Sequence, residues 1–187
     1  GRLDREIQFD RPTFLVIHLT AAHWPYYTAE TPFGMSVKKY PDDRPMYRIG
    51  LKTVDAMFGQ VVSMLRRKGA LDNAIVVTLS DHGEALALPN DSFMKNGAFV
   101  KNLGSPLKVL DIGHGQSVLS PTQYKILLGF RSFAKAGGFA SQARDLPQLA
   151  TTEDVAPTLL DLLGIDASPL QSQGQSLAPV LRANGVP

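Results

Sequence analysis

Residues 74–84 read AIVVTLSDHGE, a short apolar run that ends in the adjacent side chains Asp81 and His82. An apolar run without alternation is typical of a strand that is covered on both faces in a parallel sheet. Open α/β sheets place their chemistry at the carboxyl ends of such strands. Two potential metal ligands at this end therefore predict a metal site, and the alternative is that Asp81 caps a turn.

A long helix is predicted before this strand, over residues 47–68. Its apolar residues follow the i, i+4, i+7, i+11 spacing of an amphipathic helix, and they are Val54, Phe58, Val61 and Leu65. Residues 13–19 and 124–130 are apolar runs that predict two further buried strands. A strand, a helix and a strand in this order form a right-handed crossover between parallel strands. The predicted fold class is therefore α/β, with a mostly parallel sheet flanked by helices.

A second helix is predicted over residues 151–163. Thr151 suits the N-cap, and Asp154 lies in the first turn, where negative charge is favoured. Pro157 falls near the start of the helix, where proline is tolerated, and Gly164 ends it. A chain of 187 residues is long enough for one globular domain with its own core. We therefore expect a single domain over residues 1–187.

The composition excludes several classes of protein. The formal charge of +2 is too small to indicate nucleic acid as a partner. The absence of cysteine excludes a disulfide framework, a thiolate zinc site and a cysteine nucleophile within these residues. No run approaches the roughly 20 apolar residues of a membrane-spanning helix. Because the chain does not begin with Met, we expect a fragment, and the lack of a visible signal peptide decides nothing.

The four histidines of the chain all lie in or beside strand ends and the two long loops, residues 20–46 and 85–123. Loops of this length within a compact domain are usually functional or disordered. His23 follows the first predicted strand, where it could bind an anionic substrate group or a second metal. His18 lies inside that strand and is expected to be a core histidine or to support the site.

His114 lies in the second long loop, between Gly113 and Gly115. Glycine on both sides allows the backbone and a ligand to approach closely. A histidine that faces the substrate is one interpretation of this pattern, and a flexible surface loop is the other. The histidines thus favour a site near the strand ends, although the residues by themselves do not assign each role.

Several longer motifs occur in a fixed order along the chain. They are FLVIHLTAAHWPYY at 14–27, SDHGEAL at 80–86, GHGQSVL at 113–119, TTEDVAPTLLDLLGI at 151–165 and GQSLAPVL at 174–181. This ordered set resembles the sulfatase family of the alkaline phosphatase superfamily, in the C-terminal portion of its catalytic domain. The resemblance runs from about residue 13 to residue 181. It implies the alkaline phosphatase type of α/β fold with an incomplete N-terminal half.

The resemblance implies a metal-assisted attack on a sulfate or phosphate ester, in which a metal stabilises charge on the transferred group. Asp81 and His82 would be the metal ligands. His23 and His114 would contact the sulfuryl or phosphoryl oxygens, or protonate the leaving group. Other acidic residues match recurrent positions of the family and are expected to have supporting or structural roles; they are Asp55, Glu84 and Asp154.

Two positions depart from common patterns of the superfamily. Calcium-dependent sulfatases usually have asparagine where this chain has His82, so zinc or manganese is favoured over calcium. Two-metal members carry aspartate where this chain has Leu19, which favours a single divalent metal. Phosphonate monoester hydrolases, lipoteichoic acid synthases and phosphoethanolamine transferases also use an Asp-His pair.

The chain lacks the nucleophile of the family. The family carries it in the N-terminal half, on a Cys/Ser-x-Pro-x-Arg turn or as a threonine, and no such motif occurs here. We therefore expect a sulfatase-like hydrolase that is inactive as this fragment alone and binds metal weakly. The alternatives are a phosphoryl-group transferase of phosphoethanolamine or glycerophosphate type, and a pseudoenzyme or binding module. The resemblance leaves open a membrane anchor upstream and favours a periplasmic or membrane-associated location.

Overall fold

The computed structural model of the chain describes residues 7–26, 28–29, 44–86, 112–114, 121–133, 139 and 143–182. The helices are α1 (Arg44–Arg67), α2 (Pro121–Tyr124), α3 (Val155–Leu162) and α4 (Ala178–Arg182). The strands are β1 (Ile75–Leu79), β2 (Ala85–Leu86), β3 (Ile112–Gly113) and β4 (Leu128–Ser132), and two short 3-10 helices cover Thr152–Asp154 and Ser168–Leu170. The chain divides into two compact units, of which the first comprises Gly1–Lys68 and His82–Lys125 and the second Gly69–Asp81 and Ile126–Pro187.

In the first unit, α1 confirms the long predicted helix, although its buried face differs from the predicted stripe. The buried residues are Met46, Gly50 and Met64, whereas Phe58 is 38% exposed. Gly50 explains the difference, because a Cβ at this position would lie 2.6 Å from the main-chain oxygen of Ala21. The N-terminal half of α1 therefore packs closely on the turn that follows residue 20.

The predicted strand over residues 13–19 is not formed. These residues are described without regular secondary structure, and Phe14 and Val16 are 83% and 74% exposed. His18 is exposed as well, so the expectation of a core histidine is wrong. A strand needs a neighbour that shares its main-chain hydrogen bonds, and no described residue pairs with this segment.

In the second unit, β1 confirms the strand predicted from the apolar run before Asp81. It pairs with β4 in antiparallel register, with Val77 opposite Phe130. The pairing continues by one residue, since the N–H of Ser80 donates to the oxygen of Leu127 at 3.0 Å. Both pairs among the described strands are antiparallel. The predicted parallel pair is therefore not observed there, because its first member, residues 13–19, has no partner within the part of the chain that the structure describes.

The strand predicted over residues 124–130 is shifted toward the C-terminus. The short helix α2 ends at Tyr124, and β4 begins only at Leu128. The loop predicted over residues 85–123 is interrupted by β2 and β3, which pair with Leu86 opposite Ile112. The remainder of that loop, and most of the loop over residues 20–46, lies outside the described residues.

Helix α3 confirms the second predicted helix, and hydrogen bonds to Asp154 stabilise its N-terminus. The Asp154 carboxylate accepts hydrogen bonds from the N–H of Thr151 and the N–H of Gln175, each at 2.7 Å. The bond from Gln175, and then the bond from Thr151, lower the pKa of Asp154, whereas its burial acts to raise it. The side chain is 8% exposed. Thr151 is thus the N-cap residue that the sequence predicted, and Asp154, in the first turn, also connects the segment around Gln175 to the helix.

The C-terminal segment of the second unit is held by polar contacts to α3. Thr158, which is fully buried, accepts a hydrogen bond from the N–H of Leu177 at 2.8 Å. Asp161 accepts from Ser176 at 2.6 Å and from Arg182 at 3.0 Å. Two of the motifs quoted from the sequence, residues 151–165 and residues 174–181, therefore contact each other directly. Among the helices of the described residues, none combines the length and the apolar character that a bilayer crossing requires.

Candidate functional site

The antiparallel register of β2 and β3 brings two polar side chains together in the first unit. Ala85 lies opposite Gly113, so the preceding Glu84 and the following His114 face each other at the end of this short ladder. His114 Nδ1 lies 2.9 Å from Glu84 Oε2. The Glu84 side chain is 7% exposed and that of His114 is 26% exposed. A mostly buried carboxylate therefore contacts a half-buried imidazole.

His82 lies directly beside this pair. Its ring stacks on that of His114, with ring centres 4.0 Å apart and an angle of 28° between the planes. His82 Nδ1 donates to the carbonyl oxygen of Gly83 at 2.8 Å. This bond places the ring proton on Nδ1, so that Nε2 carries the lone pair of the neutral ring.

Gly83 is required at this position because the backbone is crowded. A Cβ at Gly83 would overlap the carbonyl oxygen of Thr122, and it would lie 2.7 Å from that of Lys125. The N–H of Gly83 donates to the oxygen of Gln123 at 3.1 Å, and the Gln123 side chain donates to the oxygen of Gly113. The segment around α2 thus fixes the backbone on both sides of the histidine pair.

The third histidine comes from the turn over residues 20–26. The N–H of His23 donates to the oxygen of Thr20 at 2.9 Å, which closes the turn. The His23 ring lies edge-on to that of His114, with ring centres 5.4 Å apart. Its Nδ1 donates to the carbonyl oxygen of Trp24. His23 and His82, from separate parts of the sequence, therefore both contact the ring of His114.

The buried residue Tyr26 contacts Glu84, the carboxylate partner of His114. Its hydroxyl donates to Glu84 Oε1 at 2.6 Å, and the residue is fully buried. Its φ of 61° lies in the left-handed region, which costs a bulky residue roughly 1–3 kcal/mol. The Tyr26 ring packs edge-on against Tyr47 at 5.4 Å. Burial, and then the nearby charge of Glu84, raise the pKa of the Tyr47 hydroxyl.

The predicted site residues are thus only partly brought together. His23, His82 and His114 meet in the first unit, whereas Asp81 is exposed and belongs to the second unit. Sequence reasoning assigned Glu84 a supporting role without naming its partner, and it did not single out Tyr26. No local signal could have found this contact, because Tyr26 and Glu84 are separated by 58 positions.

His82, Glu84 and His114 form a group that could hold a metal ion. One ligand atom from each lies within 4.8 Å of the others. Two imidazole nitrogens and one carboxylate oxygen suit zinc or manganese, whereas calcium takes oxygen ligands throughout. The residues present therefore fit a divalent transition metal, and His82 belongs both to this group and to the pair predicted from the sequence.

Comparisons with known proteins agree with the motif order. The family model described as Sulfatase matches residues 3–165. The endo-4-O-sulfatase of Bacteroides thetaiotaomicron is 23% identical over 91% of this chain and 32% of its own length. Arylsulfatase K of Bos taurus is 26% identical over 82% of this chain and 23% of its own length. The N-acetylglucosamine-6-sulfatase of Homo sapiens is 28% identical over 89% of this chain and 26% of its own length.

The chain spans a third or less of the length of these relatives. The matched region includes the histidine cluster, which comprises His23, His82 and His114. A sulfatase domain has an α/β fold of the alkaline phosphatase type, which agrees with the predicted class, and sulfatases are metal-dependent hydrolases of sulfuric esters. Because the family model covers most of the chain, the resemblance found in the sequence is confirmed, and the chain belongs to the sulfatase family.

Proposed function

We propose that this chain supplies part of the active site of a metal-dependent hydrolase of sulfate monoesters. The observation that carries the proposal is the meeting of three histidines, with the His114 ring 4.0 Å from that of His82 and 5.4 Å from that of His23. Several imidazoles in contact, one of them hydrogen-bonded to a carboxylate, can bind an anionic group and move a proton beside it. The relatives named above are sulfatases, which supports sulfate rather than phosphate as the transferred group.

In this proposal Asp81 and His82 are the metal ligands. His82 has its Nδ1 proton on a main-chain carbonyl, an arrangement that is common among metal-binding histidines. Glu84 and His114 lie beside His82, and in this proposal they act on the substrate and its proton rather than as metal ligands. When bound, a divalent ion such as zinc or manganese would supply Lewis-acid stabilisation of charge on the transferred group.

The chemistry of the remaining residues follows from their protons. His23 and His114 are proposed to contact the sulfuryl oxygens, where the Nε2–H that each ring carries in its protonated form would offset negative charge. Protonated His114 can donate from Nε2 to the leaving oxygen of the ester, and the Glu84 carboxylate stabilises the positive ring before that transfer. The leaving alcohol thus departs neutral rather than as an alkoxide.

The proposal also includes properties of the protein beyond this site. We propose that the nucleophile lies outside these 187 residues, since no Cys/Ser-x-Pro-x-Arg motif occurs here, and that the chain alone is inactive. We also propose a single domain that forms the C-terminal part of a mostly parallel alkaline phosphatase-like fold. A periplasmic or membrane-associated location, with a membrane anchor upstream, is proposed on the family resemblance alone.

Metal titration of the chain tests the proposed ligands. Zinc and manganese binding is measured by calorimetry for the wild type, His82→Ala and Asp81→Ala. Each change should weaken binding at least tenfold, which is about 1.4 kcal/mol. The matched controls are His18→Ala and Asp55→Ala, since both residues are exposed, and they should leave the affinity unchanged.

Two results would contradict the proposal. Unchanged metal affinity in both His82→Ala and Asp81→Ala would show that these residues are not the ligands. Sustained hydrolysis of 4-nitrophenyl sulfate by the isolated chain, many turnovers per molecule, would show that the nucleophile lies within these residues. The same assay with 4-nitrophenyl phosphate, run on the complete protein, should give the slower reaction.

A further inference from the structure

The three site histidines differ in what accepts their Nδ1 proton. A main-chain carbonyl oxygen accepts it from His23 and from His82, whereas the Glu84 carboxylate accepts it from His114. We propose that Tyr26 and Glu84 are positioning residues that hold His114 in the Nδ1–H tautomer, with Nε2 as its reacting nitrogen. This inference concerns the structure of the site, and only the use of that nitrogen rests on the proposed function.

Glu84 is placed to act through His114. Its Oε1 accepts from the Tyr26 hydroxyl at 2.6 Å, and its Oε2 accepts from His114 at 2.9 Å. With 7% of the side chain exposed, the carboxylate depends on these donors to offset the loss of water. Rotation of the carboxylate would break one of the two bonds, so the pair of donors fixes its plane. A fixed acceptor in turn fixes the tautomer and the orientation of the imidazole.

Tyr26 is itself held in place from several sides. It is fully buried, its N–H donates to the oxygen of His23 at 2.8 Å, and its ring packs against Tyr47. It also adopts a left-handed φ of 61°, which is rare for a bulky residue. Such conformations persist where the surrounding structure imposes them, and they occur often at functional sites. The strained turn thus delivers a hydroxyl to Glu84 from the same segment that carries His23.

A carboxylate partner distinguishes His114 from the other two histidines. A carboxylate accepts the Nδ1 proton with a full negative charge, whereas a carbonyl oxygen offers no full charge. His114 is therefore the one of these three histidines whose Nδ1 proton has a charged acceptor, which holds its tautomer more firmly than a carbonyl oxygen would. The geometry thus distinguishes His114 from His23, two residues that the sequence could not tell apart.

The test reads the tautomer directly in the full chain. Long-range 15N–1H NMR of the histidine-labelled, metal-free protein is recorded at about pH 8.5, where an ordinary histidine is neutral. In the wild type, His114 should be protonated at Nδ1 and unprotonated at Nε2. Glu84→Gln should raise the Nε2–H population of His114 several-fold, and Tyr26→Phe should raise it by a smaller factor. His23 serves as an internal reference, because its Nδ1 partner is unchanged in both variants.

Tyr124→Phe is the matched control, because Tyr124 is 60% exposed and the change removes the same hydroxyl group. It should leave every histidine signal in its wild-type tautomer. A wild-type His114 in the Nε2–H form, or an unchanged tautomer in Glu84→Gln, would overturn the inference. If Tyr26→Phe fails to fold, those two measurements still decide it. Since no substrate or metal is present, a failure here is separate from a failure of the complete protein to hydrolyse sulfate esters.

Discussion

Replacement of Asp154 offers a sharp test of how the second unit is held together. The two carboxylate oxygens accept main-chain hydrogen bonds from Thr151 and Gln175, and the side chain is 8% exposed. A hydrogen bond to a charged group contributes about 1.5–3 kcal/mol. Asp154→Ala removes these two bonds and a longer one from the Thr151 hydroxyl at 3.2 Å, and it leaves two N–H donors without their acceptor. We therefore expect the free energy of unfolding to fall by about 3 kcal/mol.

Asp154→Asn should have about half of that effect. The amide keeps one oxygen for one of the two N–H donors, while its NH2 group faces the other. Urea unfolding followed by circular dichroism gives both free energies at pH 7. The control is Asp166→Asn, an exposed aspartate that accepts hydrogen bonds from Ser168 alone, where the loss should be smaller.

The same residue predicts a dependence of stability on pH. The hydrogen bonds from Gln175 and Thr151 lower the pKa of Asp154 in the folded chain below its value in the unfolded chain. Its contribution is therefore complete above about pH 4 and is lost as the pH falls through the lowered folded pKa. The stability gap between wild type and Asp154→Asn should narrow on acidification. A gap that stays constant down to about pH 2, or an Asp154→Ala variant as stable as the wild type, would show that these hydrogen bonds do not stabilise the second unit.

Three further changes probe other contacts. Gly83→Ala should lower the free energy of unfolding by roughly 1–3 kcal/mol, because the new Cβ overlaps a main-chain carbonyl, whereas Gly59→Ala, with open space around it, should raise it slightly. Thr158→Val should cost about 1–3 kcal/mol in urea unfolding, since the buried hydroxyl accepts an N–H, and Thr158→Ser should keep most of that stability. His82→Asn should shift metal preference from zinc toward calcium, and competition titrations that show unchanged preference would contradict this.

Local patterns of the sequence were sufficient for the helices α1 and α3 and for the strand β1. The 3.6-residue period predicted α1, and the cap and stop residues around residues 151–164 predicted α3. The run before Asp81 predicted β1. These signals depend on neighbours within a few positions, which is why they could be read without the fold.

The predictions that were wrong depend on contacts between residues far apart in the sequence. Residues 13–19 have the composition of a buried strand, but a strand forms only where another segment shares its hydrogen bonds, and sequence alone does not name that segment. The buried face of α1 was also mispredicted, because the close contact at Gly50 is made with a turn distant in sequence.

The histidines of the candidate site could be named from the sequence, but their hydrogen-bond partners could not. His23, His82 and His114 stood out by their places beside strand ends and glycines. Their contact with Glu84 depends on the register of two strands of two residues each, which are too short to leave a pattern. The link to Tyr26 depends on a left-handed turn at a residue type that rarely adopts one.

We propose that the cluster of His23, His82 and His114 belongs to the active site of a sulfate monoester hydrolase. The most direct measurement compares kcat/KM for 4-nitrophenyl sulfate between the complete wild-type protein and its His114→Ala variant, with the exposed His18→Ala as control. Loss of a proton-transfer group should lower kcat/KM by about 10²–10⁴-fold, while the control keeps the wild-type value. A His114→Ala variant that hydrolyses the ester as fast as the wild type would contradict the claim.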